Sequence, residues 1–211
     1  MMETKPLVYV VDDDQSTRQT LSSLIRSVGL QVQLFASAEE FQRCVLPDTD
    51  ACLVLDIRLR GMSGLDFQRK LAGSGISIPI IFITGHGDVR MSVRAMKAGA
   101  IDFLTKPFRD QDLLDAIHVA LAKDRERRQR SAEVARLHAR FAALTPRERQ
   151  VLPLVVSGLP NKRIAAVLGI SEAAIKVHRS QLMRKMRADS LPDLVRMSEK
   201  LEITLPDNSK H

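Results

Sequence analysis

Four short apolar runs constrain the fold of the front half of the chain, because a polar residue follows each of them. The runs and these polar residues are 7–11 with Asp12 and Asp13, 51–55 with Asp56, 80–83 with Thr84, and 101–104 with Lys106 shortly after. Apolar runs of this length, separated by segments of helical period, are typical of buried parallel strands. In an open α/β sheet, ligands bind at the carboxyl ends of the strands. The pattern therefore predicts that these five polar residues meet in one acidic pocket.

Three carboxylates in such a pocket indicate a bound cation. They repel one another and would hold protons unless a positive charge neutralised them. Hard oxygen ligands suit Mg²⁺, which keeps several waters and shares its coordination with a phosphate. One carboxylate could then attack a phosphoryl group and form an aspartyl phosphate. Lys106 would neutralise one phosphoryl oxygen, and the Thr84 hydroxyl would donate a hydrogen bond to another.

Residues 5 to about 122 resemble the receiver domain of bacterial two-component response regulators. The matching segments are 10–14 (VVDDD), 54–58 (VLDIR), 61–64 (GMSG), 82–87 (FITGHG) and 103–108 (FLTKPF). The resemblance implies an α/β fold, a flavodoxin-like, doubly wound sheet of five parallel strands in the order 2-1-3-4-5. It also implies a cis peptide bond between Lys106 and Pro107.

The same resemblance implies a role for each residue of the pocket. Mg²⁺ would be bound by the side chains of Asp12, Asp13 and Asp56. The main-chain carbonyl of Arg58 would be the fourth protein ligand. Asp56 would be the phosphoacceptor, and Thr84 and Lys106 would contact its phosphoryl group. Phe103 would be the switch aromatic residue that turns inward when Thr84 moves.

The sequence leaves room for more than one role at three positions near the pocket. Arg60 stands where receivers usually have proline, and we expect it to point to solvent. The alternative is that its guanidinium enters the acidic pocket and changes the lifetime of the phosphoaspartate. His86 is expected to be an ordinary loop residue, with an influence on hydrolysis as the alternative, and Asp14 to be a turn residue or helix cap.

The charge distribution separates the two halves of the chain. Residues 1–122 carry 13 basic and 15 acidic side chains, whereas residues 123–211 carry 19 basic and 10 acidic ones. The rear part is therefore strongly basic, which predicts contact with a polyanion there. We expect a cytoplasmic protein with no membrane partner, because no apolar stretch approaches a membrane span and two cysteines without metal-binding spacing suggest reduced thiols.

Residues 123–143 are expected to form a helical linker. The segment lacks proline and glycine, and its apolar residues are three or four positions apart. This spacing predicts that the last receiver helix continues into the linker. A helix so rich in charge is usually solvated, and the alternative is an apolar edge that pairs with a second copy.

Helix start and stop signals organise the rear part of the chain. Residues 145–148 combine a threonine cap, a proline at the first helical position and a glutamate three residues after the cap, which predicts a helix to about Ser157. Further helices are predicted at 160–168 and at 171–187, with Gly169 between them. Two helices joined by a tight glycine-containing turn are typical of a helix-turn-helix, whose second helix enters the major groove.

The rear part resembles the four-helix DNA-binding domain of the LuxR/NarL group, and more closely its FixJ branch. The matching segments are 144–152 (LTPRERQVL), 158–162 (GLPNK), 177–179 (VHR) and 190–192 (SLP). The whole-chain plan is similar to FixJ-branch regulators, including activators of aromatic-hydrocarbon catabolism. We therefore expect a receiver at 1–122, a linker at 123–143 and an all-α helix-turn-helix domain at 144–211.

Helix geometry and this resemblance predict which residues contact DNA. Those expected at base edges are Lys176, Val177 and Ser180, with Arg179 nearby. Those expected at phosphates are Lys162, His178, Arg184 and Lys185. Those expected in the small core are Ile164, Val167, Leu168, Ile170, Ile175, Leu182 and Met186. The alternative for this part is an amphipathic bundle that binds another protein.

The combined expectation is a DNA-binding response regulator that is not an enzyme. A sensor histidine kinase would phosphorylate Asp56, and the chain would then form a homodimer on a pseudo-palindromic DNA site. It would regulate transcription there, as an activator, with RNA polymerase as a further partner. Two alternatives remain open: a phosphorylation-independent transcription factor with a degenerate receiver, and a Mg²⁺-dependent aspartyl-phosphate phosphatase. Against the phosphatase, Arg58 stands where a second acid would be needed.

Overall fold

The computed structural model describes residues 5–85 and 89–203. The chain folds into two compact units, the first ending at Arg128 and the second beginning at Gln129. Each unit has its own apolar core. His86, for which the sequence left two roles open, lies outside the described residues.

The first unit contains a five-stranded parallel sheet. Its strands are β1 (Leu7–Val11), β2 (Gln31–Phe35), β3 (Ala51–Asp56), β4 (Ile80–Thr84) and β5 (Asp102–Thr105). Their order in the sheet is β2-β1-β3-β4-β5, and every neighbouring pair is parallel. The predicted fold class and strand order are therefore confirmed. Short apolar runs form the three central strands, β1, β3 and β4, because both faces of the sheet are covered there.

Within the described part of the first unit, five helices begin. They are α1 (Gln15–Ser27), α2 (Ala38–Gln42), α3 (Gly64–Gly73), α4 (Val89–Lys97) and α5 (Asp110–Ala142). The helix α5 is continuous over 33 residues, which confirms the predicted extension of the last receiver helix. The expected cap role of Asp14 is also confirmed, since its Oδ1 accepts a hydrogen bond from the Thr17 amide at 2.6 Å.

Two apolar layers form the core of the first unit, one on each face of the sheet. Successive strand residues point to opposite faces, so Tyr9 joins one layer while Val8 and Val10 join the other. The Tyr9 side chain is fully buried, and its hydroxyl has no hydrogen-bond partner among the described residues. Burial raises the pKa of Tyr9 to about 12. This hydroxyl is therefore buried at an energetic cost.

A buried carboxylate fastens α5 to the start of β3. Asp124 accepts a hydrogen bond from the main-chain amide of Ala51 at 3.0 Å. Its two oxygens also accept hydrogen bonds from Arg127 and Arg128, each at 2.7 Å. Arg128 in turn donates to Asp48 at 2.6 Å. The turn of α5 just before the division of the chain is thus held by polar contacts of the first unit.

The second unit is helical. Besides the end of α5, it contains α6 (Pro146–Val156), α7 (Asn161–Leu168), α8 (Glu172–Met186) and α9 (Leu191–Lys200). The first three of these helices agree with the predicted bounds to within a residue or so. Gly169 takes the left-handed conformation, with φ of 65°, and so makes the turn between α7 and α8.

One of the residues predicted for the small core lies at the surface. The Val167 side chain is 63% exposed, so its assignment to the core was wrong. The buried stripe of α7 consists of Ile164 and Ala165, with Leu168 partly buried beside them. Val167 lies roughly 100° around the helix from the centre of this stripe. The other predicted core residues pack in or against the cluster as expected.

None of the helices in the described part of the chain is long and apolar enough to cross a membrane.

Candidate functional site

The carboxyl ends of the parallel strands bring the predicted pocket residues together. Asp12 follows β1, Asp56 and Thr84 end β3 and β4, and Lys106 follows β5. The Lys106 Nζ lies 2.7 Å from Asp12 Oδ2 and 2.8 Å from Asp56 Oδ2. One ammonium group therefore bridges two carboxylates that are 44 positions apart in the sequence. The Lys106-Pro107 bond is cis, as the resemblance implied.

Burial governs the electrostatics of this bridge. Asp12, Asp56 and Thr84 are all buried. Burial raises the pKa of Asp12, and the hydrogen bond and charge of Lys106 offset part of this effect. Burial alone would lower the pKa of Lys106, but its hydrogen bonds to the two carboxylates raise it overall. Lys106 therefore stays protonated and serves as the counter-ion of both acids.

Main-chain groups hold each carboxylate in place. Asp12 Oδ1 accepts a hydrogen bond from the Asp14 amide at 2.9 Å, and Asp56 Oδ1 accepts one from the Arg58 amide at 2.8 Å. Each acid thus uses one oxygen for the backbone and the other for Lys106. Arg18, which the sequence did not single out, donates from Nη1 to the main-chain oxygen of Asp12 at 2.6 Å.

The third acid, Asp13, faces Arg60 instead of Lys106. The Arg60 Nε donates to Asp13 Oδ2 at 3.1 Å. The Arg60 side chain is 90% exposed, so it does extend into solvent as expected, but its guanidinium also contacts the acidic cluster. The two residues are 47 positions apart, so no local sequence pattern predicts their contact.

The oxygen donors of the pocket are of the kind that Mg²⁺ prefers. The ligands that the resemblance implies, Asp12, Asp13, Asp56 and the main-chain carbonyl of Arg58, would supply hard oxygen atoms. Within residues 5–85 and 89–203, no three His, Cys, Asp or Glu side chains stand in a ready-made arrangement for a metal ion. Lys106 and Arg60 hold the acid oxygens in this structure. The residue types fit the ion, which would share these carboxylates with Lys106 and Arg60.

The helix α3 begins directly against the backbone of the candidate phosphoacceptor. A Cβ atom added to Gly64 would lie 2.5 Å from the main-chain oxygen of Asp56, so no larger residue fits without a shift. The Gly64 amide donates to the Ile57 oxygen at 2.8 Å.

The predicted switch residue, Phe103, is half-buried beside the apolar layer that contains Tyr9.

The helix α8 presents most of the predicted DNA contacts at the surface. Lys176, Val177, Ser180 and Arg184 are exposed, and His178 and Arg179 are half-buried. Lys162 is exposed near the start of α7. Arg179 Nη1 donates to Asn161 Oδ1 at 3.3 Å, which connects α8 to the first residue of α7. Asn161 was not singled out in the sequence.

Lys185 contacts the protein itself. Its Nζ lies 2.7 Å from Glu148 Oε2, and the same oxygen accepts a hydrogen bond from the Thr145 amide at 2.8 Å. Burial raises the pKa of Glu148, but the Lys185 and Thr145 donors lower it overall. Lys185 therefore stabilises the capping box of α6, and a DNA phosphate would have to compete with Glu148 for it. Its role as a phosphate contact stays a prediction.

The sheet with its acid–lysine cluster and the separate helix-turn-helix unit together define a class of protein, the DNA-binding response regulators. Comparison with family models agrees: residues 8–118 match the response regulator receiver domain, and residues 142–198 match the bacterial regulatory proteins of the luxR family.

Relatives align along nearly the whole chain. Nodulation protein W of Bradyrhizobium diazoefficiens is 56% identical over 95% of this chain and 88% of its own length. Transcriptional regulatory protein FixJ of Azorhizobium caulinodans is 43% identical over 94% of this chain and 93% of its own. The structure of response regulator StyR matches with a TM-score of 0.85 and 50% identity, covering 93% of this chain and 100% of StyR.

The chain therefore belongs to the LuxR family of two-component response regulators and is FixJ-like within it. Its relatives are transcriptional regulators, so it is not an enzyme, and the phosphatase alternative is excluded. The match to a LuxR-type DNA-binding domain likewise excludes the alternative that the rear part is a helical bundle that binds only protein.

Proposed function

We propose that a sensor histidine kinase phosphorylates this regulator on Asp56 in the presence of Mg²⁺, and that the phosphorylated chain dimerises on DNA and activates transcription in the cytoplasm. The Lys106 bridge between Asp12 and Asp56 supports this proposal most directly. An ammonium group held against the acceptor oxygen is already positioned to neutralise a phosphoryl group that arrives there.

The protein groups that take part in the proposed transfer lie at the carboxyl ends of the strands. An oxygen of Asp56 forms a bond to phosphorus, and the phosphorus–nitrogen bond of the donor phosphohistidine breaks, which leaves the imidazole of the kinase. Lys106 moves from the Asp56 oxygen to a phosphoryl oxygen, and Thr84 donates a hydrogen bond to another. When bound by Asp12, Asp13, Asp56 and the Arg58 carbonyl, Mg²⁺ supplies further charge neutralisation.

The contact between Arg60 and Asp13 opposes metal binding. A metal ion at Asp13 would compete with Arg60 for Oδ2, which accepts the hydrogen bond from that side chain. An ion pair so exposed contributes little free energy, so the effect on Mg²⁺ affinity is small. This contact is nevertheless the observation that favours the second candidate function, a regulator that works without phosphorylation.

The proposed dimer uses the face of α4, β5 and α5. Val89, Val93 and Met96 of α4 are exposed although they are apolar, and so is Val119 of α5. Exposed apolar side chains on these elements are the observation that favours an interaction site at this face. Movement of Thr84 and Phe103 would change this face, because β5 lies next to β4 in the sheet.

On DNA, two copies of α8 would read the two half-sites of a pseudo-palindrome. Lys176, Val177 and Ser180, with Arg179, would contact base edges. Lys162, His178, Arg184 and Lys185 would contact phosphates, which position the domain without reading sequence. RNA polymerase is the further partner that activation requires.

Intact mass after incubation with acetyl phosphate, with and without Mg²⁺, tests the phosphorylation step. We expect one added phosphoryl group on the wild type and on the matched control Asp66→Asn, whose side chain is exposed on α3. No group should be added to Asp56→Asn, or to the wild type without Mg²⁺. A wild type that stays unmodified under every condition would overturn the proposal.

Sedimentation velocity tests the coupled dimerisation. The phosphorylated wild type should sediment as a dimer, whereas Val93→Asp should accept the phosphoryl group and remain a monomer. A phosphorylated chain with unchanged sedimentation and unchanged DNA affinity would favour the phosphorylation-independent regulator instead.

A further inference from the structure

A basic cavity of about 450 Å³ lies in the second unit, apart from the residues assigned to DNA recognition. It is bordered by the end of α5, by the residue that follows α8, and by α9. Five cationic side chains line it: Arg136, Arg140, Arg187, Arg196 and Lys200. Only two acids, Glu133 and Asp193, line it with them. The cavity therefore has an excess of three positive charges.

The two acids compensate only part of this charge. Lys200 Nζ lies 2.7 Å from Glu133 Oε1, which makes a close ion pair. Arg196 Nη2 lies 3.8 Å from Asp193 Oδ1, beyond hydrogen-bond distance. Glu133 is therefore paired mainly with Lys200, and the hydrogen bond from Lys200 lowers the pKa of Glu133.

The remaining three cations are arginines. Arg140 donates from Nη1 to the main-chain oxygen of Met186 at 3.1 Å, which leaves most of its guanidinium donors for another acceptor. Arg136 lies near the charge of Glu133, which is already paired with Lys200. Arg187 has no ion-paired acid among the described residues. Positive charges in one cavity repel each other, and a bound anion would reduce this repulsion.

The backbone of Arg187 adds a second observation. This residue ends α8 in the left-handed conformation, with φ of 55°. Glycine or asparagine is usual at such a position, because a side chain there is strained. The chain instead has an arginine whose side chain lines the cavity. Strained residues concentrate at ligand-binding positions.

We propose that this cavity is a binding site for phosphate groups. Guanidinium groups donate in a planar fork that matches the oxygens of phosphate, and several of them around one cavity suit a dianion. The phosphate has two sources to distinguish: the backbone of DNA beside the segment read by α8, or a free phosphorylated compound. Both would be bound by the same side chains.

Calorimetric titration of the full chain with inorganic pyrophosphate at low ionic strength tests the free-anion source. Arg136→Gln removes one exposed guanidinium. Arg187→Gly removes another and relieves the left-handed backbone strain, so loss of folding does not confound it. We expect the wild type to bind and each variant to bind about tenfold more weakly. Lys123→Gln, an exposed cation earlier on α5, is the matched control and should bind as the wild type does.

The DNA source is tested by the salt dependence of affinity for a mixed-sequence duplex. If a cavity arginine contacts a backbone phosphate, Arg136→Gln or Arg187→Gly should reduce the log–log slope by about 0.9 per lost contact. Lys162→Gln is the positive control. A changed slope supports DNA as the source, and weaker pyrophosphate binding with an unchanged slope supports a free phosphorylated compound. No pyrophosphate binding together with unchanged slopes would overturn the proposal.

Discussion

Replacing Lys106 with methionine would leave two buried carboxylates without their shared counter-ion. The distances of 2.7 and 2.8 Å from the Lys106 nitrogen place the Asp12 and Asp56 oxygens within about 5.5 Å of each other. At an effective dielectric constant of 20, two negative charges at that separation repel by on the order of 3 kcal/mol. Lys106 is 24% exposed, so solvent screens part of this repulsion, and we expect a loss of about 2–3 kcal/mol near neutral pH.

The pH dependence distinguishes this mechanism from simple loss of packing. Burial already raises the pKa of Asp12, and removal of Lys106 would raise it further. A carboxyl group whose pKa is raised on folding costs stability above its unfolded pKa of about 3.9, and protonation relieves that cost. The raised pKa of Lys106 means that its contribution in the wild type is complete below about pH 10. The destabilisation should therefore be larger at about pH 8 than at about pH 5.

Urea unfolding followed by tyrosine fluorescence measures this effect in the first unit alone. Tyr9 is the only tyrosine, the chain has no tryptophan, and Tyr9 lies in that unit. Added Mg²⁺ should restore more stability to Lys106→Met than to the wild type, because it replaces the missing charge. Lys123→Met is the control for loss of an exposed lysine. An equal loss of stability at both pH values, or one below about 1 kcal/mol at the higher pH, would refute the electrostatic reasoning.

Three further substitutions have expected outcomes. Gly64→Ala should destabilise the first unit by about 1–3 kcal/mol and slow labelling by acetyl phosphate, because its Cβ would collide with the Asp56 backbone; unchanged unfolding and labelling would contradict this. Tyr9→Phe should leave stability unchanged or raise it by up to about 1 kcal/mol in urea unfolding followed by circular dichroism, since it removes an unpartnered hydroxyl. Glu148→Gln should lower the melting temperature of the second unit at about pH 7 and have little effect well below about pH 4, because the lowered pKa of Glu148 gives stability that is lost as pH falls through it; an equal effect at both pH values would argue against the ion pair with Lys185.

The sequence was sufficient for the location of the acidic pocket. Asp12, Asp56 and Thr84 each follow or end an apolar run, and in a parallel sheet the carboxyl ends of the strands share one edge. Strand identity and order therefore placed them together without any knowledge of side-chain contacts. The start of α6 and the end of α7 were equally accessible, because Thr145 and Gly169 are local start and stop signals.

Partners of long charged side chains were not accessible in this way. The Arg60 contact with Asp13 and the Lys185 contact with Glu148 span 47 and 37 residues, and a flexible cation can reach in several directions. The prediction that Val167 lies in the core was wrong for a different reason. The helix α7 has only eight residues, so its apolar period defines the buried stripe too loosely to exclude a residue at its border.

The fastening of α5 at Asp124 decides where the chain can be cut. The receiver match ends at residue 118, but a fragment that ended there or at 122 would lack Asp124 and leave the Ala51 amide, at the first residue of β3, without its acceptor. A buried amide left unpaired costs about 1–3 kcal/mol. A fragment that ends at Arg128 keeps this carboxylate and its two guanidinium partners, although the cut then falls inside a helix. The smallest receiver fragment that retains its native stability is therefore longer than the span of the receiver match suggests.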